Sequence, residues 1–544
     1  MPLTQTRWPF FAVLAVGGLA IAAFWYAILA NPRGEAVPAS GGHYVEGVLR
    51  EPERINPLFT GPNQTDADIA SLVFSGLVRL GPDGTPQPDL AERWDVTNNG
   101  RSYVFHLRGG VEWQDGEPFD ADDVVFTFRA IADPGFKGDA ALSQLMQGVV
   151  VTARDPLTVE FKLEQTYAPF LAYLTVGMLP QHLLQGLDPN QLYNAPFNAR
   201  PVGTGPYAFK RRTNEGVELA SSSSYYLGPP LISTFEFRVF PDATSLAAAL
   251  RANSVDGTLF GADSQPEIAR LTKSDARFAL HDLTSTAYFT IYLDTRSPIF
   301  QQKDVRQALL QAIDIKSLIE AAADGAGVPS DIGIPKQSWA HTDVTVPPFD
   351  PGAAARLLEA AGWSRARDGT RSNGERRLAF TLSTTNDPRR VALAQNIASQ
   401  WLAIGVDAQV QPLDAGSYIG DVLLPRKFEA ALVAVDPGPD PDPYPFWHSS
   451  QVTPPGRNLS SYEDTRIDDV LQRGRQNTDP ARRKELYELF AGYLIPATPA
   501  IALYAPVFTY AQSTRTHGFS DSLLFTPASR FANVYQWYVA TRVQ

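Results

Sequence analysis

Along most of the chain, hydrophobic residues recur with the period of a helix or of a strand, but residues 8–30 (WPFFAVLAVGGLAIAAFWYAILA) follow neither rule. That run carries no charge and sits behind Arg7. As a helix it would span about 30 Å of hydrocarbon. A cleavable leader has a shorter apolar stretch, about 7–15 residues. Trp8 and Trp25–Tyr26 stand where amphipathic rings settle at the two membrane interfaces. The pattern predicts one uncleaved N-terminal transmembrane helix with the body outside. The alternative is a long leader cut after Ala30 or Ala39. Residues 31–42 (NPRGEAVPASGG) read as a short flexible tether.

After the tether, period-2 and period-3.6 segments mix. WDVTNNGRSYVFHLRGG reads as a hairpin turned at Asn99-Gly100, with Tyr103, Phe105 and Leu107 on one face. In FDADDVVFTFRAIAD, Asp120 caps a helix, Asp122 and Asp123 fall in its positive first turn, and Val124, Val125, Phe128 and Ile131 form a stripe. TVEFKL alternates as a strand. The second half is more regularly α/β. DVRQALLQAIDIKSLIEAAADGAG predicts a helix capped by Asp304 and ended by Gly325, with Val305, Ala308, Leu309, Ala312 and Ile313 inward. DPGAAARLLEAAGW predicts a helix with Asp350 as cap and Pro351 first. VALAQNIASQWLAIGV reads as a helix, VDAQVQPL as a strand. FEAALVAVD is a nearly continuous apolar run, as in a strand covered on both faces. Helices alternating with buried strands predict a sheet wrapped by helices, with ligands beyond the carboxyl ends of strands.

Composition narrows the function classes. A chain of 544 residues is too long for one core. Its net charge of -12, without a basic block, argues against nucleic acid. The absence of cysteine removes disulfides, thiol nucleophiles and thiolate metal sites. The seven histidines are scattered, and GxSxG, HExxH and Walker patterns are missing. No catalytic residue, metal site or cofactor is expected.

The loop beyond Val435, VDPGPDPDPYPFWHSSQ, concentrates Asp436, Asp440 and Asp442 with prolines, Tyr444, Phe446, Trp447 and His448. Proline stiffens it. Its acids suit a cation such as a peptide ammonium, and its rings suit side-chain walls. The plainer reading is a surface loop of solvated acids with aromatics folded beneath. Trp113 in VEWQDG reads as structural. Gly203, Gly205 and Pro206 read as a tight turn.

LAERWDVTNNGRSYVFHLRGGVEWQDGEPFDADDVVFTF (residues 90–128) resembles the signature of the family 5 extracellular solute-binding proteins, the oligopeptide, dipeptide and nickel receptors of ABC importers. Further matches follow in the same order: INP (55–57), PVGTGPY (201–207), DVRQALLQAID (304–314), ARLLEAAGW (355–363), DPDPYPFWHSSQ (440–451) and NLSSYEDTRIDDVL (458–471). The resemblance covers residue 42 to the C-terminus. It implies an α/β, two-lobed fold of the periplasmic-binding-protein type II class with an extra subdomain. The implied boundaries are 1–41 for helix and tether; 42–84, 201–288 and 506–544 for a discontinuous first lobe; 85–200 for its inserted subdomain; and 289–505 for the second lobe.

The resemblance also implies a role: extracytoplasmic capture of a short peptide between the lobes and delivery to an ABC permease, by a monomer tethered through its N-terminal helix. It implies ligand contacts from Asp436, Trp447 and Asn458 in the second lobe and from Asn63, Gln64 and Thr65 in the first. The loop departs from the peptide-receptor pattern by its prolines and about one extra residue, so Asp440 competes with Asp436 for the ammonium. Turn and cap chemistry, with Thr65 or Asp66 as helix cap, is the alternative for the first-lobe trio. Other readings are the same receptor with a nickel chelate or oligosaccharide as cargo, a secreted hydrolase, and a tethered sensor or chaperone without a permease. Asp440 and Asp442, two residues apart, are badly placed to flank a sugar.

Overall fold

The computed structural model describes residues 36–61, 63–261, 265–374 and 376–543. The expected transmembrane helix lies outside them. Among the described residues no helix is long and apolar enough to cross a membrane. The tether reading changes at its far end: Ala36–Ala39 is a strand paired antiparallel with Ala540–Val543.

The local expectations hold where side-chain chemistry dictates them. Ala121–Ala132 is a helix whose cap, Asp120, accepts from the Asp122 N–H and forms a capping box with Asp123. Its predicted stripe is buried. Asn99 and Gly100 take positive φ between the strands Ala91–Thr97 and Ser102–Leu107, whose Tyr103, Phe105 and Leu107 are buried. The helix predicted to run from Asp304 to Gly325 is instead two, Lys303–Gln311 and Ile315–Ala323. Asp314 breaks it by accepting from the Ser317 N–H as a new cap. The first helix starts one residue before Asp304, which sits in its first turn.

One sheet of 12 strands runs through both lobes. Its second-lobe part orders Asp407–Leu413, Ala379–Thr385, Ala430–Val435, Tyr288–Leu293 and then Ala500–Ser513. Alternate residues feed two separate cores. Ile291, Leu293, Ala430, Leu432, Ile501 and Leu503 face one, under the helices Lys303–Gln311 and Pro388–Ala403. Tyr288, Tyr292, Ala431, Val435 and Ala505 face the other, under Thr465–Gln476 and Pro480–Ala497. The apolar run ending at Val435 is thus covered on both faces, as its composition requires. A third core joins His43–Val48, Gln64–Val73, Thr234–Val239 and the C-terminal segment to a separate four-stranded sheet within residues 91–163.

The 14-residue strand Ala500–Ser513 belongs to both lobes. Its first half pairs with Tyr288–Leu293, its second half with Gly257–Gly261 and Phe278–Thr284. The chain crosses between lobes there and at residues 285–287.

Arg530 ties the C-terminal segment into the first lobe. Its Nη2 donates to Glu46 Oε1 at 2.8 Å and to Asp68 Oδ2 at 2.6 Å, and all three residues are buried. The Tyr510 hydroxyl, on the crossing strand, donates to the other Glu46 oxygen at 2.8 Å. Two carboxylates out of water are tolerable only with such partners. Arg530→Ala is therefore expected to lower the unfolding free energy by about 3–5 kcal/mol. A urea titration measures this, and an unmoved midpoint would show that Glu46 and Asp68 find other partners.

Candidate ligand cleft

The loop beyond Val435 is built by its acids, each spent differently. Asp436 is exposed. Its Oδ1 accepts from the Gly438 N–H at 2.8 Å, closing a short turn in which Gly438 has φ +82°. Asp440 is only 5% exposed and meets Arg483 in a two-pronged pair, at 2.9 Å to Nη1 and 2.5 Å to Nη2. Asp442 is equally buried and holds Arg475 at 2.9 Å through Nε and 2.7 Å through Nη2. Burial raises the Asp442 carboxyl above the ordinary range, and Arg475 opposes that rise. Both arginines come from second-lobe helices, Thr465–Gln476 and Pro480–Ala497. The loop is thus stapled to its own lobe at two points, and the expectation that Asp440 takes a ligand ammonium meets a buried guanidinium already in place.

The other predicted second-lobe residues belong to the same scaffold. Asn458, fully buried, donates through Nδ2 to the carbonyls of Tyr462 at 2.9 Å and Trp447 at 3.2 Å. Trp447 packs against Tyr292 and Phe490, and lines a small cavity of about 60 Å³ inside the second lobe. In the first lobe, Asn63 rather than Thr65 or Asp66 caps the helix Gln64–Val73, its Oδ1 accepting from the Thr65 N–H. The Thr65 hydroxyl donates to the Arg50 carbonyl at 2.8 Å, and the Asp66 carboxylate accepts from the Glu53 and Arg54 N–H groups. Gln64 is exposed. Of the seven residues, only Asp436 and Gln64 present their side chains to solvent.

The lobes meet near the loop. The Arg475 guanidinium lies over the Tyr444 ring at 3.8 Å and over the Tyr167 ring, from the other lobe, at 5.3 Å. Elsewhere the Trp339 N–H donates to the Asp83 carbonyl at 3.0 Å. Between these contacts Pro439 closes one side of a first-lobe cavity of about 390 Å³. Ala67 and Ser71 of the Gln64–Val73 helix, Arg79, Asp89, and Tyr225 with Tyr535 form other parts of its wall. None of the seven predicted residues lines it. Sequence reasoning missed Arg79, Asp89 and the tyrosines because no short motif contains them; the C-terminal segment, held by Arg530, brings Tyr535 there.

Two glycines act by allowing close approach. A Cβ on Gly203 would stand 1.9 Å from the Val73 carbonyl oxygen, and one on Gly205 would stand 2.5 Å from that of Leu72. The expected tight turn is a seat for the end of the cavity-wall helix. Trp113 is structural as expected: fully buried, its Nε1–H donates to Asp123 at 3.0 Å.

The family model for "Bacterial extracellular solute-binding proteins, family 5 Middle" matches residues 85–455, well over half of the chain. The chain belongs to this family. Oligopeptide-binding protein AppA of Bacillus subtilis is 26% identical over 515 residues, covering 92% of each chain. Its solved structure, in complex with a nonapeptide, matches at a TM-score of 0.69 and 25% identity, over 93% of this chain and 100% of that one. NikZ of Campylobacter jejuni, solved with Ni(L-His), matches at 0.69 and 28%, over 91% and 99%. The family 5 chain is a two-lobed, mixed α/β periplasmic binding protein, and its role is solute binding.

The pairing in the loop separates two kinds of acid. Asp440→Ala strands Arg483 and is expected to lower unfolding stability by about 3–5 kcal/mol. Asp436→Ala is expected to stay within about 0.5 kcal/mol of wild type. Parallel denaturant titrations decide, and equal effects would show that the loop is not pinned at Asp440.

Proposed function

We propose that this family 5 protein captures short peptides between its lobes and hands them to an ABC permease. The observation that carries the reading is the cavity between the first-lobe helix Gln64–Val73 and Pro439, beside a crossing where the lobes share one strand. Hinge closure about such a crossing completes a set of contacts split between lobes, and ligand shifts the open–closed balance by its differential affinity. AppA, an oligopeptide-binding protein, supports peptide as the cargo class.

In this reading the first lobe comprises residues 42–84, 201–288 and 506–544, the inserted subdomain 85–200, and the second lobe 289–505. Neither Asp436 nor Gln64 lines the cavity as it stands; Asp436, on the loop that carries Pro439, and Gln64, at the start of the cavity-wall helix, meet the peptide on closure, Asp436 at its ammonium. Asn63, Thr65, Asp440, Trp447 and Asn458 hold the backbone that positions them. The protein acts as a monomer without chemistry on its cargo. Residues 8–30 anchor it with the body outside, which raises its effective concentration near the permease. Protease digestion of intact spheroplasts checks the orientation.

Calorimetry on the full chain in detergent, with di- to nonapeptides, tests the cargo. Binding in the panel and its weakening by about 1.5–3 kcal/mol in Asp436→Ala are expected. An isotherm unchanged in Asp436→Ala removes that residue from the site, and a panel with no binder removes peptides. Native mass spectrometry of the purified chain then identifies what it carries, a metal chelate included.

A further inference from the structure

The cavity wall contains a cation that no described residue neutralises at close range. Arg79 lies in the short strand Val78–Leu80 and is half-buried. Its Nε is shut off from solvent and has no hydrogen-bond partner. Among the described residues no carboxylate forms an ion pair with it, in contrast to Arg475, Arg483 and Arg530, each of which has a carboxylate within 2.7 Å. Asp89 also faces the cavity but is engaged elsewhere: it accepts from the Tyr226 hydroxyl. Asp89 reaches Arg79 only through the longer-range attraction of their charges. Burial pushes its carboxyl up to about 6, so it is a weak counter-ion in mildly acid medium.

A guanidinium offers five donors in a rigid fork that fits a carboxylate edge-on. Arg79 is only half-buried and stands in the cavity wall, and a carboxylate that meets its accessible N–H groups gains charge-assisted hydrogen bonds. Tyr225 and Tyr535, ring centroids 5.6 Å apart and edge to face, stand in the same wall and offer apolar surface.

We propose that Arg79 is the anion subsite of this cavity and that the cargo is a solute bearing a free carboxylate, which for a peptide is its C-terminus. This deepens the peptide-capture reading and rests on it for the identity of the acid, although the subsite itself requires only a carboxylate. The loop acid Asp436 and the arginine then lie on different lobes, so a zwitterionic peptide with both ends engaged would favour the closed state.

The test compares trialanine with trialanine amide by calorimetry, and benzoate with benzamide by thermal shift, on the full chain in detergent, wild type and Arg79→Gln. Trialanine is expected to bind wild type at least 10-fold more tightly than its amide, and Arg79→Gln to abolish that preference while keeping the wild-type melting temperature. Arg79→Lys, which keeps the charge, should retain part of the preference, and serves as the reading if Arg79→Gln does not fold. Equal binding of acid and amide by wild type, or a preference that survives Arg79→Gln, overturns the subsite and leaves peptide capture standing. Benzoate stabilising wild type but not Arg79→Gln, with neither tripeptide bound, upholds the subsite and ends the peptide reading. No binding of any probe ends both.

Discussion

The architecture depends on one long strand that serves two masters. Ala500–Ser513 hydrogen-bonds to second-lobe Tyr288–Leu293 over its first half and to first-lobe strands over its second. Over residues 508–512 it is paired on both sides, which satisfies its backbone groups there. The chain between Thr284 and Tyr288 leaves one partner set for the other. Within that segment the Ser285 and Thr286 N–H groups donate to the Pro506 and Leu524 carbonyls. In the proposed reading the lobes rotate about this crossing when they close on cargo.

Against that backbone constraint, charge is used to fix loops and termini. Arg530 with Glu46 and Asp68, Arg483 with Asp440, and Arg475 with Asp442 are all buried pairs in which an arginine fork meets a carboxylate. Such pairs give little net stability compared with apolar packing, yet each is costly to half-remove. They specify geometry: the C-terminal segment against the first lobe, and the proline-rich loop against the second. Arg475 also touches Tyr167 across the lobes, so the loop's staple lies at the lobe contact.

A binding surface made this way divides labour between residues that hold and residues that touch. The buried acids, amides and rings near the cleft define where the backbone runs. In the proposed reading the groups that meet a solute come from distant segments: Asp436 at a strand end, Gln64 at a helix start, Arg79 in a short strand, and Tyr225 and Tyr535. Adaptable capture suits such a sparse set, because shape and backbone position carry much of the recognition.

The sequence by itself determined what local chemistry controls. Asp120, Asp350 and the Asn99-Gly100 turn placed their elements, because a cap or a positive φ needs only nearby atoms. The apolar run ending at Val435 foretold a doubly covered strand and the loop after it. Where a local signal had a rival it misled: the stripe from Val305 to Ile313 concealed the break at Asp314, and Thr65 and Asp66 looked like caps until Asn63 took the role. Tertiary structure alone decided which charges are spent. Asp436 and Asp440, four residues apart in one loop, are alike in sequence; only the arrival of Arg483 from a helix some forty residues later buries one and leaves the other in water. Arg79 is likewise distinguished from its neighbours by a partner that does not come. Pairing over such separations depends on where the fold brings side chains, and no short-range pattern encodes it.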